Sequence, residues 1–354
     1  LGLIHRSPWL AVRFASLMGA SEPEVGVQDQ PLVTPALAPM GVGTWSWGNR
    51  LLWDYRPERD DPLLLRTFQG CIKAGLTFFD TADSYGTGRL QGRSEILLGQ
   101  GLVGLPARQR QRVTVATKLA PYPWRLGRHG FCKAAAASCQ RLGRPIDLVQ
   151  LHWSTARYAP WQEKPLLQGL MDQVQMGGAK AVGLSNMGPR GLRRAAGWMA
   201  DAGVPLRSVQ VQFSLLSQQP LQPGGVLEVC RELGVTVIAY SPLALGLLTG
   251  RYTASHVPSG LRGLLFGRLL PHLEPLLALM GEIGADHGST PAGVAVNWCR
   301  AHGTIPIPGL RHPHHVNGME QALGWILSCH ERQALDQASR ELATLMPQNP
   351  FQSA

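Results

Sequence analysis

The chain is expected to fold as an α/β protein, a single (β/α)8 TIM barrel with long loops on its C-terminal face. Three observations predict it: eight short apolar strand segments, helical stretches between them, and one unbroken rhythm with no second domain. The strand segments are Met40–Gly43, Thr77–Asp80, Val113–Lys118, Asp147–His152, Ala181–Ser185, Ser208–Phe213, Val235–Tyr240 and Thr304–Pro308. Several are continuous rather than alternating hydrophobics, as strands covered on both faces are. Between them, Pro62–Ala74, Lys133–Leu142, Arg190–Asp201, Gly225–Leu233 and Thr290–Ala301 carry helical periodicity. Gly75 and Gly234 stand just past helix ends, where a left-handed cap favours glycine. The expected organisation is a leader over 1–38, the barrel over 39–345 and a short tail over 346–354. The connection after the seventh strand, Ser241 to about Gly288, is unusually long. Its Leu269–Ile283 portion reads as an extra helix, and such insertions cluster on the face where barrels build their sites.

Composition excludes several function classes. The formal charge is +10, but only five of the thirty-three basic residues are lysines and the arginines are scattered. No basic block interleaved with aromatics appears, which argues against nucleic acid as a partner. The six cysteines form no CxxC pair and no Cys/His metal spacing, and His312, His314 and His315 read as a solvated loop, so no metal is expected. No uninterrupted apolar run approaches the roughly eighteen residues of a membrane span. The apolar stretch Leu261–Met280 is broken by Arg262, Arg268, His272, Glu274 and two prolines, which favours packing over the barrel mouth to contact with lipid. Residues 1–21 contain Arg6, Arg13, Ser7, Ser16 and Ser21 and no acid; by composition they read equally as part of an organellar transit peptide or as an ordinary leader.

The chemistry gathers at strand ends. The second strand runs into Asp80-Thr81-Ala82-Asp83-Ser84-Tyr85-Gly86, the third ends on Lys118, and the fourth on His152-Trp153. Each residue alone has a structural explanation. Asp80 could cap a turn, Lys118 could snorkel from its strand, and His152 could be a satisfied core histidine. Four titratable groups converging on one barrel rim point instead to a site.

The segments FDTADSYG, ATK, LHW, GLSN, AYSPLALGLLTGRY and IPIPG, in this order across residues 39–325, resemble the motif set of the aldo-keto reductases. GTWSWGN, DTADSYGTGRL, ATKLAPYPWRL, LHWSTARYAP and VQFSLLSQ are similar to plastid oxidoreductases of plants and algae within that family, which favours the transit-peptide reading and a chloroplast location. The resemblance implies an NADPH-dependent oxidoreductase that reduces an aldehyde or ketone, a small-molecule carbonyl substrate, by hydride transfer. It implies a tetrad with Tyr85 as general acid, Lys118 as the cation that lowers the phenol's pKa, Asp80 as the partner of Lys118, and His152 as the group orienting the substrate oxygen. That division of labour is chemically coherent, because a free phenol, with a pKa of about 10, is a poor acid at neutral pH without a nearby cation. Trp45, Trp124 and Trp153 would wall the substrate pocket.

No dinucleotide fingerprint of the strand–turn–helix kind is present; Gly86–Gly92 has the wrong glycine spacing and no acid about twenty residues on. The resemblance instead assigns the cofactor to Thr44, Ser185, Asn186, Gln212, Tyr240, Ser241, Leu243, Gly246, Arg311 and His312. Ser185, Asn186 and Gln212 would hold the nicotinamide carboxamide, Tyr240 would stack on its ring, Ser241, Leu243 and Gly246 would line the pyrophosphate, and Arg311 would grip the 2′-phosphate. Asn186 and Gln212 suit an amide because each offers donor and acceptor. Where relatives carry a Glu-Asn pair on the adenine side, this chain has Gly318-Met319, with Glu320 and Gln321 as substitutes only under a register shift. The family also contains potassium-channel β subunits, barrels that act as partners; the complete tetrad favours turnover here. Sugars, reactive aldehydes, pyridoxal and quinone-like carbonyls all remain open as substrates, and the oligomeric state is not encoded in any pattern found.

Overall fold

A computed structural model describes residues 39–343 and 346–353. The expected leader over 1–38 lies outside the described residues. Eight parallel strands stand in chain order: β1 Val42–Gly43, β2 Phe78–Asp80, β3 Thr114–Leu119, β4 Ile146–Leu151, β5 Ala179–Ser185, β6 Leu206–Gln212, β7 Thr236–Tyr240 and β8 Ile305–Ile307. Every expected strand is present, with ends displaced by no more than two residues. The helices are α1 Arg50–Trp53, α2 Pro57–Lys73, α3 Arg93–Val103, α4 Ala107–Arg112, α5 Gly127–Leu142, α6 Pro160–Gln175, α7 Pro189–Asp201, α8 Val226–Leu233, α9 Leu261–Asp286, α10 Pro291–Ala301, α11 Pro313–Leu323 and α12 Cys329–Ser339.

The sheet returns on itself where β8 meets β1. Gly41 N donates to Pro306 O and Gly43 N to Pro308 O, both at 2.9 Å, and Gly43 bridges Gly309 in parallel. This seam explains two glycines. A Cβ on Gly41 would stand 2.4 Å from the Phe78 ring, and one on Gly43 would stand 2.7 Å from Ile307 O, so any side chain would wedge the seam apart.

Strand pleating sorts the residues into two cores. One face of each strand packs against the surrounding helices in a continuous apolar layer. The other face fills the barrel, where Phe78, Ala116, Leu148, Ile238, Ile305 and Ile307 form a separate interior cluster. Side chains on one face recur every second residue. Four of these interior hydrophobes therefore have a polar same-face partner one pleat nearer the C-terminal rim: Asp80 beyond Phe78, Lys118 beyond Ala116, Gln150 beyond Leu148 and Tyr240 beyond Ile238. The register agrees, pairing Asp80 with Ala116, Ala116 with Leu148 and Lys118 with Gln150. The apolar layer is thus the floor of a polar one.

The insertion after β7 does contain a helix, longer than expected. At 26 residues α9 is long and apolar enough to cross a membrane by length and composition. Its Phe266, Leu269, Leu270, Leu273, Leu276, Met280 and Ile283 fall on one face at helical spacing and are buried in the protein's own core. That face packs on α10 and α12 and on the Ala244–Thr249 turn.

Candidate active site

The polar layer is built around Asp80. Its carboxylate forms an ion pair with Lys118 Nζ through Oδ2, and the two side chains are only 2% and 1% exposed. Its other oxygen, Oδ1, accepts from Gln210 Nε2 at 2.7 Å and Gln150 Nε2 at 3.2 Å. Lys118 Nζ also donates to Thr81 O at 2.8 Å. Gly183 makes room for this arrangement, since a Cβ there would stand 2.5 Å from Ser208 Oγ and 3.1 Å from Gln150 Cγ. Thr44, expected at the cofactor, holds the Asp80 backbone: its N and Oγ1 donate to Asp80 O at 3.0 and 2.9 Å, and its Oγ1 accepts from Ser94 Oγ at 2.6 Å. Its hydroxyl is engaged in bracing the turn that delivers Asp80.

Above this pair stand Tyr85 and His152. Lys118 Nζ lies 4.9 Å from the centre of the Tyr85 ring, and the Tyr85 and His152 rings meet edge to face at 5.8 Å. All four expected tetrad residues are therefore gathered at one mouth. Ser84 Oγ is 3.2 Å from His152 Nδ1, and Asn186 Nδ2 donates to His152 O at 3.0 Å. Burial, reinforced by the Lys118 charge, holds the His152 imidazole well below its ordinary range, so it is neutral at pH 7. Tyr85 departs from the expectation that Lys118 lowers its pKa. Burial, with the Asp80 and Tyr240 groups adding to it, pushes the phenol well above 10. The cation beside the ring is already committed to Asp80, and burial also pushes Lys118 itself down.

The expected aromatic walls divide into two groups. Trp153 lies 5.0 Å from His152 and donates through Nε1 to Tyr158 Oη at 2.9 Å. Tyr122 meets Trp153 edge-on at 6.2 Å and stacks on Trp124 at 4.7 Å, extending that wall outward. Arg125 supports Tyr122 from 4.9 Å and is ion-paired with buried Asp83. Trp45 packs edge-to-face on Trp53 at 4.8 Å instead.

The residues expected at the nicotinamide also meet. Asn186 adopts a left-handed backbone, φ 55°, which asparagine tolerates better than most residues. Its side chain turns back so that Oδ1 accepts from Tyr240 Oη at 2.8 Å and Nδ2 reaches Ser185 Oγ at 3.2 Å. Gln212 ends β6 beside Tyr240 at the end of β7. Beyond β7, Ser241, Ala244, Leu245 and Gly246 all have positive φ. A run of left-handed non-glycine residues is strained backbone of the kind found around ligand sites. Against this turn lies Arg262, which sequence reasoning treated only as a break in an apolar stretch. Its Nη2 donates to Leu245 O at 2.8 Å, and its guanidinium lies 5.1 Å from the Phe266 ring. Arg311 Nη2 donates to Trp53 O at 3.2 Å. Burial pushes Arg311 below the ordinary guanidinium range; Asp60 opposes this, and the Arg59 and Arg262 charges add to it. Among the described residues, Nε of both Arg262 and Arg311 is buried without a hydrogen-bond partner.

His312 caps α11 and its Nδ1 is 2.6 Å from that of His314. Met319 faces the core and is 4% exposed, while Gly318 opens onto space with nothing within 4 Å of a built Cβ. Glu320 and Gln321 are exposed.

Gln150 and Gln210 were not anticipated, although strand parity pointed to them: they stand two residues before His152 and Gln212, on the same inward face.

The Aldo/keto reductase family profile matches residues 39–340. The chain belongs to the aldo/keto reductase family. It is 48% identical over 322 residues to the chloroplastic pyridoxal reductase of Arabidopsis thaliana, covering 90% of this chain and 87% of that one. It is 29% identical over 245 residues to the NADH-specific methylglyoxal reductase of Escherichia coli, covering 64% and 70%. A crystal structure of an aldo-keto reductase from Klebsiella pneumoniae in complex with NADPH superposes with a TM-score of 0.65 at 26% identity, over 89% of this chain and 93% of that one. The chain is thus an oxidoreductase of a family that acts on carbonyl groups, with the (β/α)8 fold of its relatives.

Proposed function

We propose that this aldo/keto reductase reduces an aldehyde with NADPH, with Tyr85 as proton donor, and that a planar aromatic aldehyde of the pyridoxal kind is its substrate. The observation that carries the reading is the convergence of Tyr85, Lys118, Asp80 and His152 at one barrel mouth beside an aromatic wall. Similarity to a pyridoxal reductase supports the substrate class, and Trp153 and Tyr122 offer faces on which such a ring can stack.

The groups that would hold the cofactor suit it. Two arginines with buried, unpartnered Nε atoms stand near one another, and guanidiniums with spare donors match a phosphate-rich ligand. Arg311, with His312 at the N-terminus of α11, would take the 2′-phosphate; Arg262, against the Ser241–Gly246 turn and beside Leu243, would take the pyrophosphate. Ser185, Asn186, Gln212 and Tyr240 would fix the nicotinamide. When bound, the cofactor supplies the hydride. His152 is neutral and has Nδ1 engaged by Ser84, which leaves Nε2 free to donate to the substrate oxygen. The half-buried Tyr85 phenol keeps its proton through neutral pH until the substrate oxygen gains negative charge, and Lys118 at 4.9 Å then stabilises the phenolate left behind. Similarity to a chloroplastic relative and the composition of residues 1–21 support a plastid location, with the folded unit over 39–345 and the leader removed.

Tyr85→Phe keeps the ring and removes the transferred proton. Turnover of pyridoxal should fall by about 10²–10⁴-fold, with NADPH affinity nearly unchanged by calorimetry. Equal loss of both would make Tyr85 a packing residue. Arg311→Ala should weaken NADPH by about tenfold or more and leave NADH nearly untouched, whereas Arg262→Ala should weaken both. Equal effects of Arg311→Ala on the two cofactors would remove it from the 2′-phosphate. A fluorescent fusion of the complete gene should enter plastids; retention in the cytosol would contradict the leader assignment.

A further inference from the structure

Residues 346–353, expected only as a tail, lie across the ends of β4, β5, β6 and β7. Both ends of the Gln212 amide are taken by this segment: Nε2 donates to Pro347 O at 3.3 Å, and Oε1 accepts from Asn349 N at 3.1 Å. Asn349 Nδ2 donates to Tyr240 Oη at 2.7 Å and to Asn186 Oδ1 at 3.2 Å. The Asn349 side chain is itself fixed, because its Oδ1 accepts from Phe351 N at 3.0 Å. Further along, Phe351 stacks on Trp153 with ring centres 4.5 Å apart and 25° between planes. Ser353 closes the strap, its N donating to Asn186 O at 3.1 Å and its Oγ accepting from Gly188 N at 3.0 Å.

These contacts fall on the residues assigned above to the nicotinamide carboxamide and on the aromatic wall assigned to the substrate. The chemical match is close. Asn349 carries the same functional group as nicotinamide, a primary carboxamide, and presents it to Asn186, assigned above to the nicotinamide carboxamide, and to Tyr240, assigned to its ring, while its backbone N takes the Gln212 amide oxygen. The hydrogen-bonding capacity of Asn186 is also filled: Nδ2 serves His152 O and Ser185 Oγ, and Oδ1 serves Tyr240 and Asn349. An amide has two donor hydrogens and two acceptor lone pairs, so a second carboxamide finds no place until the first leaves.

We infer that the 346–353 segment is an internal competitor for the nicotinamide subsite, with Asn349 acting as a carboxamide mimic and Phe351 as its clamp over the substrate wall. The inference rests on the cofactor assignment made above. A tethered mimic acts at high local concentration, and the apparent affinity for cofactor falls by the fraction of molecules in which the strap is open. Release of the segment would therefore accompany cofactor binding, and whatever holds it down would lower the enzyme's apparent affinity for cofactor without touching the tetrad.

The test compares the full chain with its Asn349→Ala and Phe351→Ala variants, using NADPH as the probe. Calorimetry should show NADPH binding about tenfold tighter in both variants. Chymotrypsin cleavage after Phe351, followed by mass spectrometry, should accelerate when the unsubstituted chain is saturated with NADPH. Asn349→Ala should be cleaved at the faster rate without cofactor. Unchanged affinity in Asn349→Ala would overturn the inference, as would slower cleavage with NADPH, which would make the segment a cover that closes on bound cofactor. Failure of every form to bind NADPH would overturn the cofactor assignment itself, and the inference with it.

Discussion

Asp80 and Lys118 share a charge pair inside the barrel with almost no exposure to solvent, and most of the polar layer is arranged around that fact. Removing two charges from water is expensive, and their attraction repays the cost only when the remaining lone pairs and hydrogens are also satisfied. Here the satisfaction comes from four strands. Gln150 on β4 and Gln210 on β6 donate to the free carboxylate oxygen, and Lys118 on β3 spends a second hydrogen on Thr81 O just past β2. Thr44, just past β1, braces the Asp80 backbone. The pair therefore couples distant staves of the barrel, and the position of the cation under Tyr85 follows from that coupling.

The same pair explains why the phenol behaves differently from the simple expectation. Proximity of a lysine predicts a lowered phenol pKa, but a lysine neutralised by its own aspartate offers little net field to the phenol. Burial then dominates, and Tyr85 and His152 both stay uncharged. In the proposed reaction, where charge develops only as hydride arrives, two uncharged groups here would concentrate their stabilisation on the transition state.

Much of this was readable from residues alone, for a physical reason: a barrel presents the ends of its strands on one rim, so Asp, Lys and His at strand ends must converge. The eight strands and the helix inside the long insertion followed from the same local patterns. Gln150 and Gln210 escaped notice because an amide in an apolar strand carries no signal until the inward face is known. The bracing contact of Thr44 carried no local signal, because its partner is a backbone carbonyl on the neighbouring strand. Arg262 sits near the start of a helix that extends eight residues before the expected Leu269, and only the folded turn brings it to Leu245. The 346–353 segment has no periodicity at all. Its contacts join residues more than a hundred positions apart, such as Gln212 with Asn349, and no local pattern encodes them.

The account depends most on the buried pair, and a double-mutant cycle in Asp80→Asn, Lys118→Met and their combination tests it directly through urea unfolding and aldehyde turnover. Each single variant leaves an uncompensated buried charge and should lose about 3–5 kcal/mol of stability. The double variant should recover much of that loss, while all three should lose turnover. Additive destabilisation with no recovery, or turnover within a few-fold of the parent in the double variant, would contradict the placement of this pair at the centre of the fold and of its chemistry.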